Sequence, residues 1–276
     1  MRLLALDIDH TLTANDNSIA RANIEAVAWA LARGIKVTLI TGRRYTASAA
    51  DHARTLGLAG PIACHYGRRI VEHPSGKVLE SHPLPMGSAP DLVRVARGLP
   101  GTIISAFIGD DLVFELFPSR WPRSAFAQMS EGDLDAKMAA QPRDIMSVSV
   151  ASQDAADPAG AVRAVSEAGE RLYPGLLQFY YVPWGGVPQG MTTGISSAAD
   201  KGTALLELAR LAGVDVAETV AMGDSEADIP MLRAAGIGVA MPWSTEEVRQ
   251  AADLVAEGDL DDAVARMIRR LVSAGD

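Results

Sequence analysis

A short apolar run, Leu3-Leu4-Ala5-Leu6, leads straight into Asp7-Ile8-Asp9-His10-Thr11. This junction constrains the fold more than any other feature of the chain. The run is too apolar for a half-exposed strand and reads as a buried parallel strand. Such strands belong to α/β sheets, which place their ligands beyond the strands' carboxyl ends. Two carboxylates spaced i, i+2 beside a threonine therefore emerge where this kind of sheet binds. They offer a metal ligand, a candidate nucleophile and a proton donor within one turn. An isolated D-x-D is also met as an acidic loop capping a helix, so its context decides.

The pattern downstream alternates. The spacing predicts a helix over 19–33, with Ile24, Val27, Ala28 and Leu31 as its apolar stripe and Gly34 just past its end. A β-rich segment at 35–41, a helix at 46–56 stopped by Gly57, and a strand at 61–65 follow. Pro74-Ser75-Gly76 joins 69–72 to 77–80 as a hairpin. From Leu84 the pattern changes. Strand-like runs at 102–108, 112–117, 144–151 and 176–182 are interspersed with helical segments at 91–97, 134–139 and 158–172. That is the signature of an antiparallel sheet backed by helices, with irregular stretches at 117–122 and 173–188. The α/β pattern then resumes: helix 201–212 ending at Gly213, strand 218–222, helix 229–235, strand 237–241, and helices 246–252 and 259–272. The reading is an α/β core, residues 1–82 and 195–276, split by an inserted α+β domain at 83–194.

Composition narrows the function. With 276 residues, 48% of them hydrophobic, the chain can bury a sizeable core. A net charge of −9 argues against nucleic-acid partners and against an anionic membrane surface. It also means that an anionic ligand needs local positive charge from a cation, from Lys201 or from helix N-termini. The single cysteine, Cys64, excludes an internal disulfide and fits a reducing compartment. It lies in the apolar run Pro61–Cys64, so it reads as core rather than as a catalytic thiol. No apolar stretch approaches the ~18–20 residues of a transmembrane helix. The run before Asp7 is too short for a signal peptide's apolar region. These features point to a cytoplasmic protein. The five histidines lack a spacing such as H-x-x-x-H, which disfavours zinc.

Three further segments give the opening motif its meaning: Leu39-Ile40-Thr41-Gly42-Arg43, Asp200-Lys201-Gly202, and Met222-Gly223-Asp224-Ser225-Glu226-Ala227-Asp228. In this order the four resemble the signatures of the haloacid dehalogenase (HAD) superfamily of phosphohydrolases. The string from Gly223 to Leu232 is especially similar to the Cof-type branch, subfamily IIB. The resemblance covers both ends of the chain and implies a Rossmann-like core with an inserted cap of the C2 type. That cap would close over the core and select the substrate, with hinges near Ser81–Pro85 and Thr193–Ser197.

The resemblance also implies roles. Asp7 is the nucleophile that becomes an aspartyl-phosphate, and Asp9 is the general acid–base. Thr41, with Gly42, and Lys201 bind the phosphoryl group. Asp7, the Asp9 backbone carbonyl and Asp224 hold Mg²⁺ directly, and Asp228 holds it directly or through water. Four acids around one point repel strongly unless a hard divalent cation resolves them. Crowding with the other carboxylates is expected to favour the protonated form of Asp9. Three positions depart from the family pattern: His10 (commonly Gly), Tyr66 (commonly Asn before Gly) and Ala227 (commonly Asn). Met241-Pro242-Trp243 also replaces a usual Gly-Asn stretch.

The expected function is hydrolysis of small phosphorylated metabolites, sugar phosphates first. A phosphomutase using the same aspartyl-phosphate and a non-catalytic phosphate-binding protein are the alternatives. The intact acids, threonine and lysine speak against a mere binder, which needs no general acid. Arg120, Trp121, Arg123, Tyr181 and Trp184 are candidate specificity residues in the inserted domain.

Overall fold

In the computed structural model, β1 (Leu3–Leu6) is buried along its whole length. It pairs in parallel with β2 (Lys36–Leu39) on one side and with β12 (Thr219–Gly223) on the other. Parallel pairing continues from β12 to β13 (Ile237–Ala240) and on to β14 (Leu254–Val255). The order β14-β13-β12-β1-β2 means that the chain leaves β1 in one direction and later returns on its other side. The gap between β1 and β12 is thus the point where the strand order reverses, and open α/β sheets bind ligands there. The structure describes residues 1–13, 17–115, 130–152, 157–184 and 187–273.

Burial on both faces explains the unbroken apolar run. Leu4 and Leu6 pack with α1 (Arg21–Leu31), α2 (Ala50–Thr55) and α9 (Ala263–Ser273). Ala5 points the other way, into α6 (Lys201–Ala212), α7 (Ile229–Ala234) and α8 (Glu246–Ala251). Beyond β2, a parallel bridge from Ile40 to Ala63 attaches β3 (Gly60–Cys64). β3 forms a small antiparallel sheet with β4 (Arg69–His73) and β5 (Lys77–Ser81). Cys64 is fully buried in this core.

The chain divides into two compact units, Met1–Ser81 with Ala199–Asp276, and His82–Ala198. In the second unit, β6 (Thr102–Ile108), β7 (Asp111–Phe114), β8 (Ser130–Glu131), β9 (Ile145–Ser152), β10 (Leu177–Trp184) and β11 (Val187–Ser196) form one sheet in the order β10-β11-β9-β6-β7-β8. The pairing is antiparallel except between β7 and β8. α3 (Ser88–Arg97), α4 (Leu134–Ala140) and α5 (Pro158–Leu172) supply Leu92, Met138 and Val165 to its main core.

Two expectations need correction. The stretch 173–188 is largely strand, and β11 runs through Ser196, so the chain re-enters the first unit at Ala199. Pro188, Gly190 and Gly194 hide this strand from propensity, and pairing with both β10 and β9 overrides them. The buried face of α1 is also rotated from the expected stripe. It comprises Asn23, Ala26, Val27 and Ala30, while Ala28 is exposed. Asn23 sets this rotation. Its amide donates to the Leu260 carbonyl at 3.2 Å, and its oxygen accepts from the Ala265 N–H at 3.0 Å. A polar residue thus fastens α1 to α9 and the segment before it. Arg120, Trp121 and Arg123 lie outside the described residues. Tyr181 is exposed on β10 and bonds the Ser166 hydroxyl at 2.5 Å, and Trp184 ends the same strand. No helix among the described residues is long and apolar enough to cross a membrane.

Asn23→Leu keeps the volume but leaves a buried carbonyl and a buried N–H without partners. It should cost about 2–3 kcal/mol of stability, read as a lower midpoint in urea denaturation. An unchanged midpoint would show that the α1–α9 contact is carried by apolar packing alone.

Candidate active site

The acidic loop after β1 begins one residue past the strand. The Asp7 N–H donates to the Met222 carbonyl of β12 at 3.0 Å, so backbone pairing alone places its side chain at the reversal point. Lys201 reaches the same point from the first turn of α6, where Asp200 caps the helix through the Thr203 N–H. Its Nζ donates to Asp7 Oδ1 at 2.6 Å and also to Asp228 Oδ1. All three side chains are almost wholly buried. A lysine at a helix N-terminus opposes the helix dipole, and here two carboxylates compensate it.

Asp224 and Asp228 come from the turn after β12. Gly223 makes that turn possible, since a Cβ there would fall 2.5 Å from the Asp228 Cβ and Cγ. The chain folds back tightly enough for Asp228 Oδ2 to accept from the Asp224 N–H at 3.1 Å and from the Ser225 N–H and hydroxyl at 2.8 Å each. Asp228 is therefore fully engaged, one oxygen by the lysine and the other by its own turn. Asp224 is tied across to the first loop by the Thr11 hydroxyl, which donates to Oδ1 at 3.1 Å.

The charges do not balance. One carboxylate oxygen each from Asp7, Asp224 and Asp228 lies within 4.8 Å of the others. Against three acids stands one ammonium. Burial pushes Asp7 well above the ordinary carboxylate range; Lys201 pulls it back, and Asp228 and Asp224 push it up. Burial and Asp228 push Asp224 up to about 6. Burial works against the Lys201 ammonium, but Asp228 and Asp7 outweigh it and hold the lysine charged. An all-oxygen donor set with unspent negative charge suits a hard divalent cation.

Asp9 behaves differently from the expectation. Its side chain is half-exposed and turned to Arg43, whose Nη2 donates to Oδ1 at 2.6 Å and whose Nε donates to Oδ2 at 3.0 Å. Burial would raise Asp9, but the hydrogen bonds and charge of Arg43 outweigh it and hold the carboxyl below its ordinary value. A cationic fork, rather than crowding by acids, sets the state of this residue. Arg43 stands inside the second motif, yet its part in the site was not foreseen, and neither were those of Thr11 and Ser225.

Thr41 follows β2 and is buried. Its N–H donates to the Ala63 carbonyl at 2.9 Å, and its hydroxyl accepts the Arg43 N–H at 3.1 Å. Gly42 has no room for a side chain, because a Cβ would sit 2.7 Å from the Tyr66 ring. Two of the positions that depart from the family pattern fall in unusual backbone. His10 and Tyr66 have φ of 54° and 58°, and His65 beside Tyr66 has 51°, in the left-handed region that Gly and Asn tolerate best. Trp243 also enters the site, its indole N–H donating to the His10 carbonyl at 2.8 Å. Ala227 is buried beside Asp228.

Comparison with known proteins gives the family. The family model described as haloacid dehalogenase-like hydrolase matches residues 4–268. The chain belongs to this family. Over its full length it is 26% identical to a pyridoxal phosphate phosphatase, YbhA, of Escherichia coli, with 97% of each chain covered. It is also 26% identical to a 5-amino-6-(5-phospho-D-ribitylamino)uracil phosphatase, YitU, of Bacillus subtilis, with 98% of this chain and 97% of the relative covered. A phosphoglycolate phosphatase of Methanopyrus kandleri is 40% identical over 81 residues, 29% of this chain and 35% of that protein. Among solved structures, a haloacid dehalogenase-like hydrolase of Bacteroides thetaiotaomicron superposes with a TM-score of 0.80 at 26% identity, covering 98% and 99% of the two chains. A subclass IIB sugar phosphatase shares the fold, with a TM-score of 0.79 at 19% identity over 99% of each chain. The protein is thus a Cof-type HAD phosphatase with a core and a C2 cap.

The raised Asp224 has a consequence in the absence of a cation. The folded state binds this proton more tightly than the unfolded chain, whose Asp titrates near 3.8. The resulting stabilisation is complete below that value and is lost as pH rises through about 6. The ion-free protein should therefore become less stable from pH 5 to pH 7.5. Asp224→Asn should raise the unfolding free energy at pH 7.5 by on the order of 1–2 kcal/mol after allowance for solvent screening. Calorimetry in chelator checks both. A variant less stable than wild type at pH 7.5 would show that Asp224 is not repelled.

Proposed function

We propose that the protein is a Mg²⁺-dependent phosphomonoester hydrolase for small phosphorylated metabolites, sugar phosphates among them, working through an aspartyl-phosphate on Asp7. The observation that carries this reading is the buried Asp7–Lys201–Asp228 chain at the reversal point of the sheet, with three acids facing one ammonium. Asp7, the Asp9 carbonyl and Asp224 would hold the ion directly. Asp228, with both oxygens engaged, would reach it through water. When bound, the ion neutralises the phosphoryl oxygens and draws the excess charge off the acids.

Lys201 holds Oδ1 of Asp7, so Oδ2 is the oxygen presented to phosphorus. Its attack forms the Asp7–phosphorus bond as the bond to the alcohol oxygen breaks. Lys201 and the Thr41 hydroxyl steady the transferring group. Asp9 gives its proton to the departing alkoxide, then takes one from the water that attacks the phospho-aspartate, releasing phosphate and restoring Asp7. Asp9 takes up a proton only when the Arg43 pair opens, so exchange of Arg43 for the leaving-group oxygen is part of the cycle. Support for the metabolite class comes from the full-length relatives, which are phosphatases of phosphorylated small molecules. The inserted unit, His82–Ala198, is the further source of selectivity. The lone buried cysteine suits the cytoplasm.

Asp7→Asn should lose nearly all turnover while keeping the native fold, read by circular dichroism. It should also fail to trap label from a ³²P-labelled substrate on acid quench. Wild-type-like hydrolysis by that variant would sink the nucleophile assignment.

Asp9→Asn should slow the first, phosphoryl-transfer step more for a sugar phosphate than for p-nitrophenyl phosphate, whose aryl oxide leaves without a proton. Pre-steady-state bursts isolate that step from dephosphorylation. Equal losses for the two substrates would remove Asp9 from the general-acid role.

A further inference from the structure

The strand-end loops around Asp7 form a row. Along the order β13-β12-β1-β2, and on to β3 through the Ile40–Ala63 bridge, they carry Trp243, Asp224, Asp7, Thr41 and Tyr66 in turn. The inner three belong to the phosphoryl site. The outer two are aromatic, and both lean inward. The Trp243 indole reaches past the β12 loop to the loop after β1, where it bonds the His10 carbonyl at 2.8 Å. The Tyr66 ring rests on Gly42, in the loop after β2. β1 and β2 are neighbours, and neighbouring strands are ~4.8 Å apart. The two rings therefore contact adjacent loops, the ones that carry Asp7 and Thr41.

Neither ring is in the core. Trp243 is 37% exposed and Tyr66 is partly exposed. Both are nonetheless held firmly. The Tyr66 N–H donates to the Thr41 carbonyl at 2.9 Å, and Arg68 Nη1 donates to the Tyr66 carbonyl at 2.8 Å. Tyr66 keeps this place with φ of 58°, in the left-handed region that non-glycine residues rarely adopt. A strained backbone that holds a partly exposed residue, its ring packed against the loop of Thr41, fits a recognition role. A rigid aromatic face is prepaid in entropy for stacking against another flat ring.

We infer that Tyr66 and Trp243 are walls for the leaving group and select phosphomonoesters whose alcohol carries a planar aromatic ring over those with a puckered or open-chain alcohol. This deepens, and rests on, the phosphatase reading of the same site. A saturated ring of equal size fills the mouth but offers no π face to either wall. The two esters then differ in binding rather than in bond cleavage.

The test compares benzyl phosphate with cyclohexylmethyl phosphate, which match in size and in attachment through a CH₂–O–P link. The wild type should favour the benzyl ester in kcat/KM by about three- to tenfold, the range of one or two aromatic contacts, with the difference in KM. Tyr66→Leu and Trp243→Leu should each bring the ratio toward one. Tyr66→Phe and Trp243→Phe should preserve it, although the second loses the bond to His10. A wild-type ratio near one overturns the inference. So does an equal loss for both esters in the leucine variants, which would mark the rings as braces for the loops. Turnover of acetyl phosphate, which has no ring, separates the two levels. If it is hydrolysed without any ring preference, only the selection by Tyr66 and Trp243 fails. If the wild type hydrolyses none of the three compounds, the phosphatase reading fails with it.

Discussion

One buried ammonium holds this site together. Lys201 bonds Asp7 from the first strand and Asp228 from the turn after β12, so three segments far apart in sequence meet at a single nitrogen. Removing a charge from water is costly unless it is paired and hydrogen-bonded, and here each group depends on the others. The lysine is charged because two carboxylates flank it. Asp228 is held because its second oxygen closes the Gly223–Ser225 turn. The turn is possible because Gly223 has no side chain to collide with Asp228. The arrangement still carries more negative than positive charge, and that surplus makes it a site for a cation and an anionic substrate together.

A second constraint is conformational. Three of the four non-glycine residues with left-handed φ among the described residues border the site: His10, His65 and Tyr66. The loops after β1 and β3 are thus bent where glycine or asparagine would be easier. Hydrogen bonds from Trp243 and Arg68, and to Thr41, over-determine the bends. Strain concentrated around a reacting centre positions groups that relaxed loops would leave free.

Much of this was legible in the sequence, for physical reasons that differ by region. The core strands announced themselves because burial on both faces demands apolar residues at every position, as in Leu3–Leu6. α6 stops where the sequence puts its end, at Gly213. The acids, Thr41 and Lys201 were visible through motif spacing. Side-chain geometry was not. Nothing in a string says that Arg43 turns onto Asp9 rather than into solvent, that the face of α1 is rotated toward Asn23, or that β11 persists through two glycines and a proline. Each of these is decided by a partner distant in sequence.

The sheet order also has a consequence for how the chain is made. β1 finds β2 within a few dozen residues of synthesis, but its other edge is completed only by Thr219–Gly223. At a synthesis rate of ~5–20 residues per second, that edge waits on the order of ten to forty seconds without its partner. The inserted unit, His82–Ala198, emerges whole during the delay and is a compact body with its own core. A nascent chain of this architecture carries an apolar half-sheet, open along one side, until Thr219–Gly223 has been made. Unpaired strand edges of that kind invite chaperones or other chains. The buried strand that makes the active site possible is also the part of the molecule most in need of protection before it is finished.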